Sequence, residues 1–167
     1  MSAMKKHTGI TTIELLVCIS VLAILSTVGV PSFRWFIASQ HQDATVVRLT
    51  DTLRQSRIEA LRLKQYVSVC ATINGTSCSG QSDWSKGWIA YVDNNRNNTK
   101  DNGEAVLFVQ TDTQNTLNTT ASGSSLRFFP NGLMESGSFA ICSSTLSQKN
   151  TIAVNASGYI SYAQTHC

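Results

Sequence analysis

Two residues at the start of an apolar run, Gly9 and Glu14, could take part in a chemical step or an ion pair. A carboxylate within an apolar membrane span costs roughly 2.5–3.5 kcal/mol when it is unpaired. One interpretation is that Glu14 lies near the membrane interface, where this cost is small. The other is that the chain is cleaved after Gly9, so that the new amine of Ile10 can pair with Glu14. A helix puts the first and fifth residues on adjacent turns, and the amine of a neighbouring copy could also be the partner.

Cysteine is the second residue type that could form bonds. Four cysteines follow the apolar run, namely Cys70, Cys78, Cys142 and Cys167, and an even number suits two disulfides in an oxidising compartment. We predict a Cys70–Cys78 bridge, because these residues flank a short turn that contains an Asn-Gly pair. Cys142 then pairs with Cys167 and holds the C-terminal tail; the alternative is a free Cys167 and a disordered tail. Cys18 lies inside the apolar run and is predicted to be a free thiol.

Enzymatic chemistry is not indicated. Among the histidines, His7 precedes Gly9, His41 falls in a long helical segment, and His166 is next to the terminal cysteine. The sequence suggests no Ser-His-Asp set and no Cys-His dyad, and a cysteine nucleophile competes with the disulfide interpretation. Zinc is not favoured, because seven residues separate Cys70 from Cys78 and common zinc sites have roughly two to four. We therefore predict no enzyme, no cofactor and no metal.

One loop matches the spacing of a calcium-binding loop. Residues 93–104 place oxygen-bearing side chains at positions 1, 3, 5, 7, 9 and 12 of such a loop, namely Asp93, Asn95, Asn97, Thr99, Asp101 and Glu104. Asn98 replaces the usual glycine at the sixth position, and asparagine tolerates left-handed backbone better than most residues. Arg96 and Lys100 add positive charge, and predicted strands flank the loop where helices are usual. We prefer the interpretation of a solvated Asn-rich hairpin loop, with calcium binding as the alternative.

The apolar run Leu15–Val30 is the element that must position Gly9 and Glu14. An ordinary signal peptide is the alternative, but the small residue that suits cleavage precedes the run instead of following it. The lysines of the preceding segment predict an N-terminus in the cytoplasm and the rest of the chain outside. We therefore divide the chain into a leader (1–9), a membrane segment (10–33), an amphipathic continuation of the helix (34–64) and a periplasmic β-rich domain (65–167).

The segment from about Ile10 to about Lys64 has the pattern of one long helix. Pro31 lacks a backbone donor, which predicts a kink near it. The second half carries a stripe at helical spacing that needs a packing partner, formed by Leu49, Leu53, Ser56, Ala60 and Leu63. After Gln65 short β-rich runs alternate with turn residues, which predicts antiparallel strands at Tyr66–Ala71, Gly87–Val92, Ala105–Gln110, Leu126–Phe129, Ser138–Cys142, Thr151–Val154 and Tyr159–Tyr162. The predicted fold class is α+β, a long N-terminal helix packed on antiparallel sheet.

The N-terminal features together resemble the class III signal of type IV pilins and pseudopilins. The shared features are a basic leader, Gly9, a TLIEL-like segment with Glu14 at mature position five, and Pro31 at mature position 22. Ile10 stands where the family usually has Phe and Thr12 where it usually has Leu, but the cleavage glycine and the glutamate are present. The resemblance implies cleavage after Gly9 by a prepilin peptidase, N-methylation of Ile10, and the type IV pilin fold.

The resemblance continues past the membrane segment, where the chain is similar to the FimT/FimU group of minor pilins and to the type II secretion pseudopilin H. It is carried by Val67–Cys70, Trp84–Asp93, Leu126–Gly132 and Val154–Tyr159. It implies a minor type IV pilin that binds other minor and major pilins through its N-terminal helix, helps to prime assembly and lies at or near the filament tip. Such a chain is anchored in the bacterial inner membrane and then enters an extracellular or periplasmic filament. The sequence does not separate this function from that of a minor pseudopilin H.

DNA binding for natural transformation is a further alternative, because some FimT-type pilins bind DNA. In those proteins the resemblance implies a Gly-Arg-x-Arg tail, whose guanidinium groups contact phosphates. The matching positions here are Gly158, Tyr159, Ile160 and Ser161, so both arginines are missing. The net charge of +3 includes the two lysines of the leader, and the remaining basic residues are scattered along the chain. DNA is therefore a less favoured partner.

Overall fold

The computed structural model of the chain describes residues 9–111 and 117–167. These residues form one helix, α1 (Thr12–Leu63), followed by eight strands: β1 (Val67–Ala71), β2 (Gly87–Val92), β3 (Val106–Thr111), β4 (Leu117–Ala121), β5 (Ser125–Phe128), β6 (Gly137–Ser143), β7 (Gln148–Val154) and β8 (Ile160–His166). The basic residues of the predicted leader, Lys5 and Lys6, lie outside the described residues, as does the side chain of Pro31.

The chain forms two compact units, with the boundary between Ile37 and Ala38. In the first unit, every described side chain of α1 up to Phe36 is exposed, although most of these side chains are apolar. This helix is long and apolar enough to cross a membrane, judged by its length and composition. The helix is continuous through Pro31, and the kink that we expect there stays a prediction.

In the second unit, the described strands form two four-stranded sheets in which every pairing is antiparallel. One sheet has the order β3-β2-β1-β5 and the other has the order β4-β6-β7-β8. This arrangement of one long N-terminal helix and antiparallel sheets confirms the α+β fold class predicted from the sequence. All seven predicted strands are present, with boundaries that shift by a few residues.

The strand β4 is the element that the sequence analysis missed. Only Leu117 and Thr119 of this strand turn inward, so it carries a single large apolar side chain and shows little apolar alternation. The strand forms because all five of its residues pair with β6, from Leu117 opposite Ser143 to Ala121 opposite Phe139. This tertiary pairing outweighs the weak local pattern.

The second half of α1 supplies the predicted apolar stripe. Four of its five residues are buried, namely Leu49, Leu53, Ser56 and Ala60. Leu49, Leu53 and Ala60 form one core with residues of both sheets, including Val69 of β1 and Ile152 of β7. Leu63 is only half-buried, because the helix ends there. The packing partner that the stripe requires is therefore the β-rich domain.

Two disulfides hold the second unit. Cys70 is bonded to Cys78 with a Cα–Cα distance of 5.6 Å, and Cys142 is bonded to Cys167 with a distance of 5.9 Å. These are the pairs predicted from the sequence. The second bridge links β6 to the residue that follows β8, so it ties down the C-terminal strand. Cys18 carries a free, exposed thiol in α1.

Replacing Cys142 and Cys167 together by serine is expected to lower the free energy of unfolding by about 3 kcal/mol. The bridge joins residues that are 25 positions apart, so its loss frees a long loop in the unfolded chain and lets β8 fray in the folded chain. Urea denaturation of the full chain in detergent micelles, followed by tryptophan fluorescence, measures this. The matched control is Cys18→Ser, which should change stability by less than about 0.5 kcal/mol. Equal midpoints for both variants would contradict the prediction.

Candidate functional site

Glu14 lies in the N-terminal turn of α1, beside the residue that caps the helix. The helix begins at Thr12, and Thr11 caps it, because its Oγ1 accepts a hydrogen bond from the backbone N–H of Glu14 at 3.3 Å. A threonine followed three residues later by glutamate is the sequence of a capping box. The negative charge of Glu14 also suits the positive end of the helix dipole. Our sequence analysis missed this local role, although the Thr-x-x-Glu spacing predicts it.

The carboxylate of Glu14 has no partner cation among residues 9–111 and 117–167. Within residues 9–111 and 117–167, no Lys, Arg or His nitrogen lies within 4.0 Å of it. Exposed apolar side chains lie on both sides of it in the sequence, including Ile13 at 68% and Leu15 at 59% exposure. A charge without a partner among the described residues thus lies at the edge of an uncovered apolar surface, which is costly once that surface is removed from water.

The hydroxyl groups of the apolar segment are satisfied by the helix itself. Ser20 donates to the carbonyl of Leu16, Ser26 donates to the carbonyl of Leu22 at 2.7 Å, and Thr27 donates to the carbonyl of Ile24 at 2.7 Å. These hydroxyls therefore need no water, which lets the segment enter an apolar environment at little cost. Glu14 is the one ionisable acid in this segment of α1.

Gly9 is not required by the fold. A Cβ atom at this position would meet nothing within 4 Å, and the backbone of Gly9 is not left-handed. Gly158 is the opposite case, because its φ is +82° and a Cβ there would collide with the guanidinium of Arg57. Arg57 is held in place by a 2.7 Å hydrogen bond from its Nε to the carbonyl of Gly132. A glycine at position 9 therefore calls for an explanation outside packing.

The carboxylates of the loop 93–104 accept hydrogen bonds from donors of the same chain, most of them within the loop. The carboxylate of Asp93 is fully buried; its Oδ1 accepts from the backbone N–H of Asn97, and its Oδ2 accepts from the N–H of Asn98 and the hydroxyl of Ser68. Asn98 has a φ of 60°, which agrees with the left-handed backbone expected at that position. Asp101 accepts 2.7 Å hydrogen bonds from two asparagine amides of the loop, and they hold the pKa of its carboxyl below the usual value.

The chain supplies its own cation to this loop. The Nε of Arg127 lies 3.5 Å from Asp93 Oδ2, and its Nη2 donates to the carbonyl of Arg96 at 2.7 Å. In the described part of the chain, no cluster of three or more His, Cys, Asp or Glu side chains could hold a metal ion. Sequence reasoning missed Arg127, because 34 positions separate it from Asp93 and only the pairing of β1 with both β2 and β5 brings the two together. The arrangement supports the interpretation of a self-contained loop.

Replacing Arg127 by methionine is expected to destabilise the domain by roughly 3 kcal/mol, because the buried charge of Asp93 then loses its counter-charge. The control is Arg54→Met, which breaks an exposed pair with Asp51 and should cost less than about 1 kcal/mol. Thermal unfolding monitored by circular dichroism compares the two variants. Equal effects, or a rise in the melting temperature of the unchanged chain with millimolar calcium, would contradict this account of the loop.

The positions that correspond to a Gly-Arg-x-Arg tail begin in the turn that follows Asn155 and continue into β8. The N–H of Gly158 donates to the carbonyl of Asn155, and the side chain of Asn155 accepts from the N–H groups of Ser157 and Tyr159. Tyr159 is 68% exposed, and Ser161 is also exposed. The glycine is therefore explained by the turn, and the exposed positions carry no positive charge.

A family model described as type II transport protein GspH matches residues 45–158, about two thirds of the chain. No match was found among curated proteins. The match begins after the first unit and ends before β8, so it does not include Gly9, Glu14 or the C-terminal strand.

Solved structures of two kinds share the fold. The type IV minor pilin FimU of Pseudomonas aeruginosa, in one crystal form, has a TM-score of 0.59 and 20% identity and covers 77% of this chain and 92% of its own. A second crystal form of FimU has a TM-score of 0.55 and 21% identity, with 72% and 91% covered. The minor pseudopilin EpsH from the type 2 secretion system of Vibrio cholerae has a TM-score of 0.51 and 9% identity, with 72% and 94% covered.

Proposed function

This chain belongs to the GspH family of type II transport proteins, and from that membership we propose that it is a minor subunit of a type IV pilus. Its role is structural: it helps to prime assembly of the filament and lies at or near the tip. The family is a pilin and pseudopilin family, so other pilins are its partners. Its apolar N-terminal helix suits a membrane-anchored subunit.

The observation that carries the proposal is the carboxylate of Glu14, which has no partner cation in the described part of the chain. It lies on an exposed apolar helix, five residues after a glycine that the fold does not need. Such a helix needs either lipid or other helices around it. Cleavage after Gly9 by a prepilin peptidase would create a positive amine on Ile10. The amine of a neighbouring subunit then supplies the charge that Glu14 lacks.

The mechanism of entry into the filament then follows from electrostatics in an apolar medium. Before docking, the subunit is anchored in the inner membrane, and the unpaired charge of Glu14 there costs roughly 2.5–3.5 kcal/mol. On docking, the carboxylate pairs with the amine of a neighbouring subunit, which recovers this cost and sets the axial register between the helices. Pro31 lies further along the same helix and provides the bend that packs it beside its neighbours.

A minor pseudopilin of a type II secretion system is the second candidate. The description of the matching family and the fold that the chain shares with a pseudopilin favour it. Both functions use the same anchor, the same docking charge and the same fold. They differ in the filament that receives the subunit.

Deletion of this chain from its host tests the proposal. We expect fewer surface pili by electron microscopy, unchanged secretion of exoproteins, and recovery when the chain is restored on a plasmid. Antibody against the chain should also detect it in sheared pili, at a small ratio to the major pilin. Normal pilus numbers together with loss of secretion would favour the pseudopilus instead.

A further inference from the structure

We infer that the outer edge of β8 is a docking site for an extended β-strand of another pilin subunit. The inference rests on the proposed function for the class of partner, but the family match stops at residue 158 and does not assign a role to this strand. Three features of the domain support it, namely the state of the four sheet edges, the direction of the free backbone groups of β8, and a groove beside β8.

Two of the four edges are covered by other parts of the chain. Along β4, the N–H of Ala121 donates to the carbonyl of Ser82 at 2.9 Å, and the carbonyl of Thr119 accepts from the N–H of Trp84 at 2.7 Å. Along β5, the carbonyl of Arg127 accepts from the N–H of Glu135 at 2.8 Å. These edges cannot accept a further strand at those positions.

The third edge, β3, is irregular. Its register with β2 shifts between Ala90 and Tyr91, which leaves one extra residue in β3 and bends the strand. A bulge is one of the devices by which natural proteins keep an edge strand from pairing with another chain. Three of the four edges in the described sheets are therefore protected.

The fourth edge, β8, has no such protection. It pairs with β7 in unbroken register over all seven residues, from Val154 opposite Ile160 to Gln148 opposite His166. It contains no Lys, Arg, Asp, Glu or Pro, and six of its residues are exposed. The bond between Cys142 and Cys167 and the turn at Asn155 hold its two ends. A long, regular, uncharged edge is the kind that pairs with another strand.

The direction of the free backbone groups follows from the register. The N–H of Asn155 donates to the carbonyl of Tyr159 at one end of the hairpin, and the N–H of Cys167 donates to the carbonyl of Ser147 at the other. Hydrogen-bonded pairs alternate along an antiparallel ladder, so the odd-numbered residues of β8 bond to β7. The N–H and C=O groups of Ile160, Tyr162, Gln164 and His166 therefore point away from β7. No hydrogen bond joins them to the rest of residues 9–111 and 117–167.

A groove between α1 and β8 adds a preference for charge. It is lined by Asp43 and Val46 of α1, Asn150 and Thr151 of β7, and Tyr162 and Gln164 of β8. Asp43 is exposed, and no Lys, Arg or His nitrogen of the described residues lies within 4.0 Å of its carboxylate. A docked strand that directs a Lys or Arg side chain into this groove would pair with Asp43. We therefore expect the docked strand to be uncharged apart from one such basic residue.

A second copy of this chain fits the edge less well. Two β8 strands that pair antiparallel in one sheet are related by a twofold axis perpendicular to the sheet. That axis would reverse the direction of the part of α1 that packs on the sheets. Subunits anchored in one membrane have their helices in the same direction, so the partner is a different pilin.

The test uses the full chain, co-expressed with each of the other pilins of its host and purified in detergent through an affinity tag. Gln164→Pro removes one outward N–H and places a proline ring on the edge, whereas Gln164→Ala removes the same side chain and keeps the N–H. We expect co-purification of one pilin to fall by about tenfold or more with Gln164→Pro and to stay unchanged with Gln164→Ala. Asp43→Asn should weaken it several-fold, while Asp51→Asn, which changes the same charge elsewhere on α1, should not.

Hydrogen exchange of the unchanged chain gives a second readout that needs no substitution. The N–H groups of Tyr162, Gln164 and His166 should exchange fast in the free chain and become protected in the complex. Those of Ser161, Ala163 and Thr165 should be protected in both. Equal co-purification of the proline and alanine variants, or fast exchange of the outward groups in the complex, would overturn the inference about the edge. If the unchanged chain co-purifies with no pilin, the proposed function itself fails.

Discussion

Chains with Glu14→Ala are expected to be cleaved and inserted normally but to enter filaments roughly 100-fold less well. The substitution makes the apolar segment more apolar, so nothing opposes membrane insertion. It also removes the carboxylate that would pair with the amine of a neighbouring subunit, and with it the roughly 3 kcal/mol that favours docking over the anchored state. Quantitative immunoblots of sheared filaments and of membranes measure the two pools separately.

Glutamine at position 14 separates the charge from the helix cap. In a capping box glutamine can replace glutamate, so Glu14→Gln keeps the local role while it removes the charge. We expect Glu14→Gln to fail as Glu14→Ala does. Glu59→Ala is the control, because it removes the same side chain from an exposed pair with Arg62 further along α1. Normal filament entry of the glutamine variant would mean that the helix cap, and not the charge, is what matters.

Chains with Gly9→Val are expected to keep the leader completely. The structure leaves open space for a side chain at Gly9, so the substitution should not disturb the fold and any defect falls on the processing step. The uncleaved chain retains its charged leader on the cytoplasmic side, lacks the Ile10 amine, and should stay in the membrane. Intact-mass spectrometry of the membrane fraction measures the retained residues.

Gly29→Val is the matched control for this substitution, because it introduces the same side chain at a glycine of α1 that also has open space at its Cβ position. It should be cleaved like the unchanged chain. Loss of the leader from the Gly9→Val variant at the normal rate would show that the peptidase acts elsewhere.

The long helix and most strands follow from the sequence because each has a clear local pattern. The stripe from Leu49 to Ala60 has helical spacing, and β2 is a continuous apolar run that is buried on both faces. The same method missed β4 and placed the end of β8 too early, at Tyr162 instead of His166. Both segments are polar, and they form strands through pairing with their neighbours. Local pattern carries no information about such pairing.

The candidate sites also differ in how well the local sequence predicts them. Gly9, Glu14 and the four cysteines that follow the apolar run are close together in sequence or few in number, so spacing alone suggests their roles. The loop 93–104 shows where spacing fails. Its oxygen-bearing residues match a calcium loop, but the guanidinium of Arg127 stands beside Asp93, and only the folded sheet brings it there. The spacing of the loop residues cannot reveal a positive charge that comes from a strand distant in sequence.

The most direct test of the central claim is the N-terminal mass of the chain recovered from filaments. Filaments sheared from the host, separated from membranes and digested, should yield an N-terminal peptide that begins at Ile10 and carries one methyl group on its amine. Recovery of this peptide would show cleavage after Gly9 and entry of the mature chain into a filament in one measurement. A chain that is absent from filaments, that keeps its leader, or that is cleaved within the apolar run after Ala23 would contradict the account.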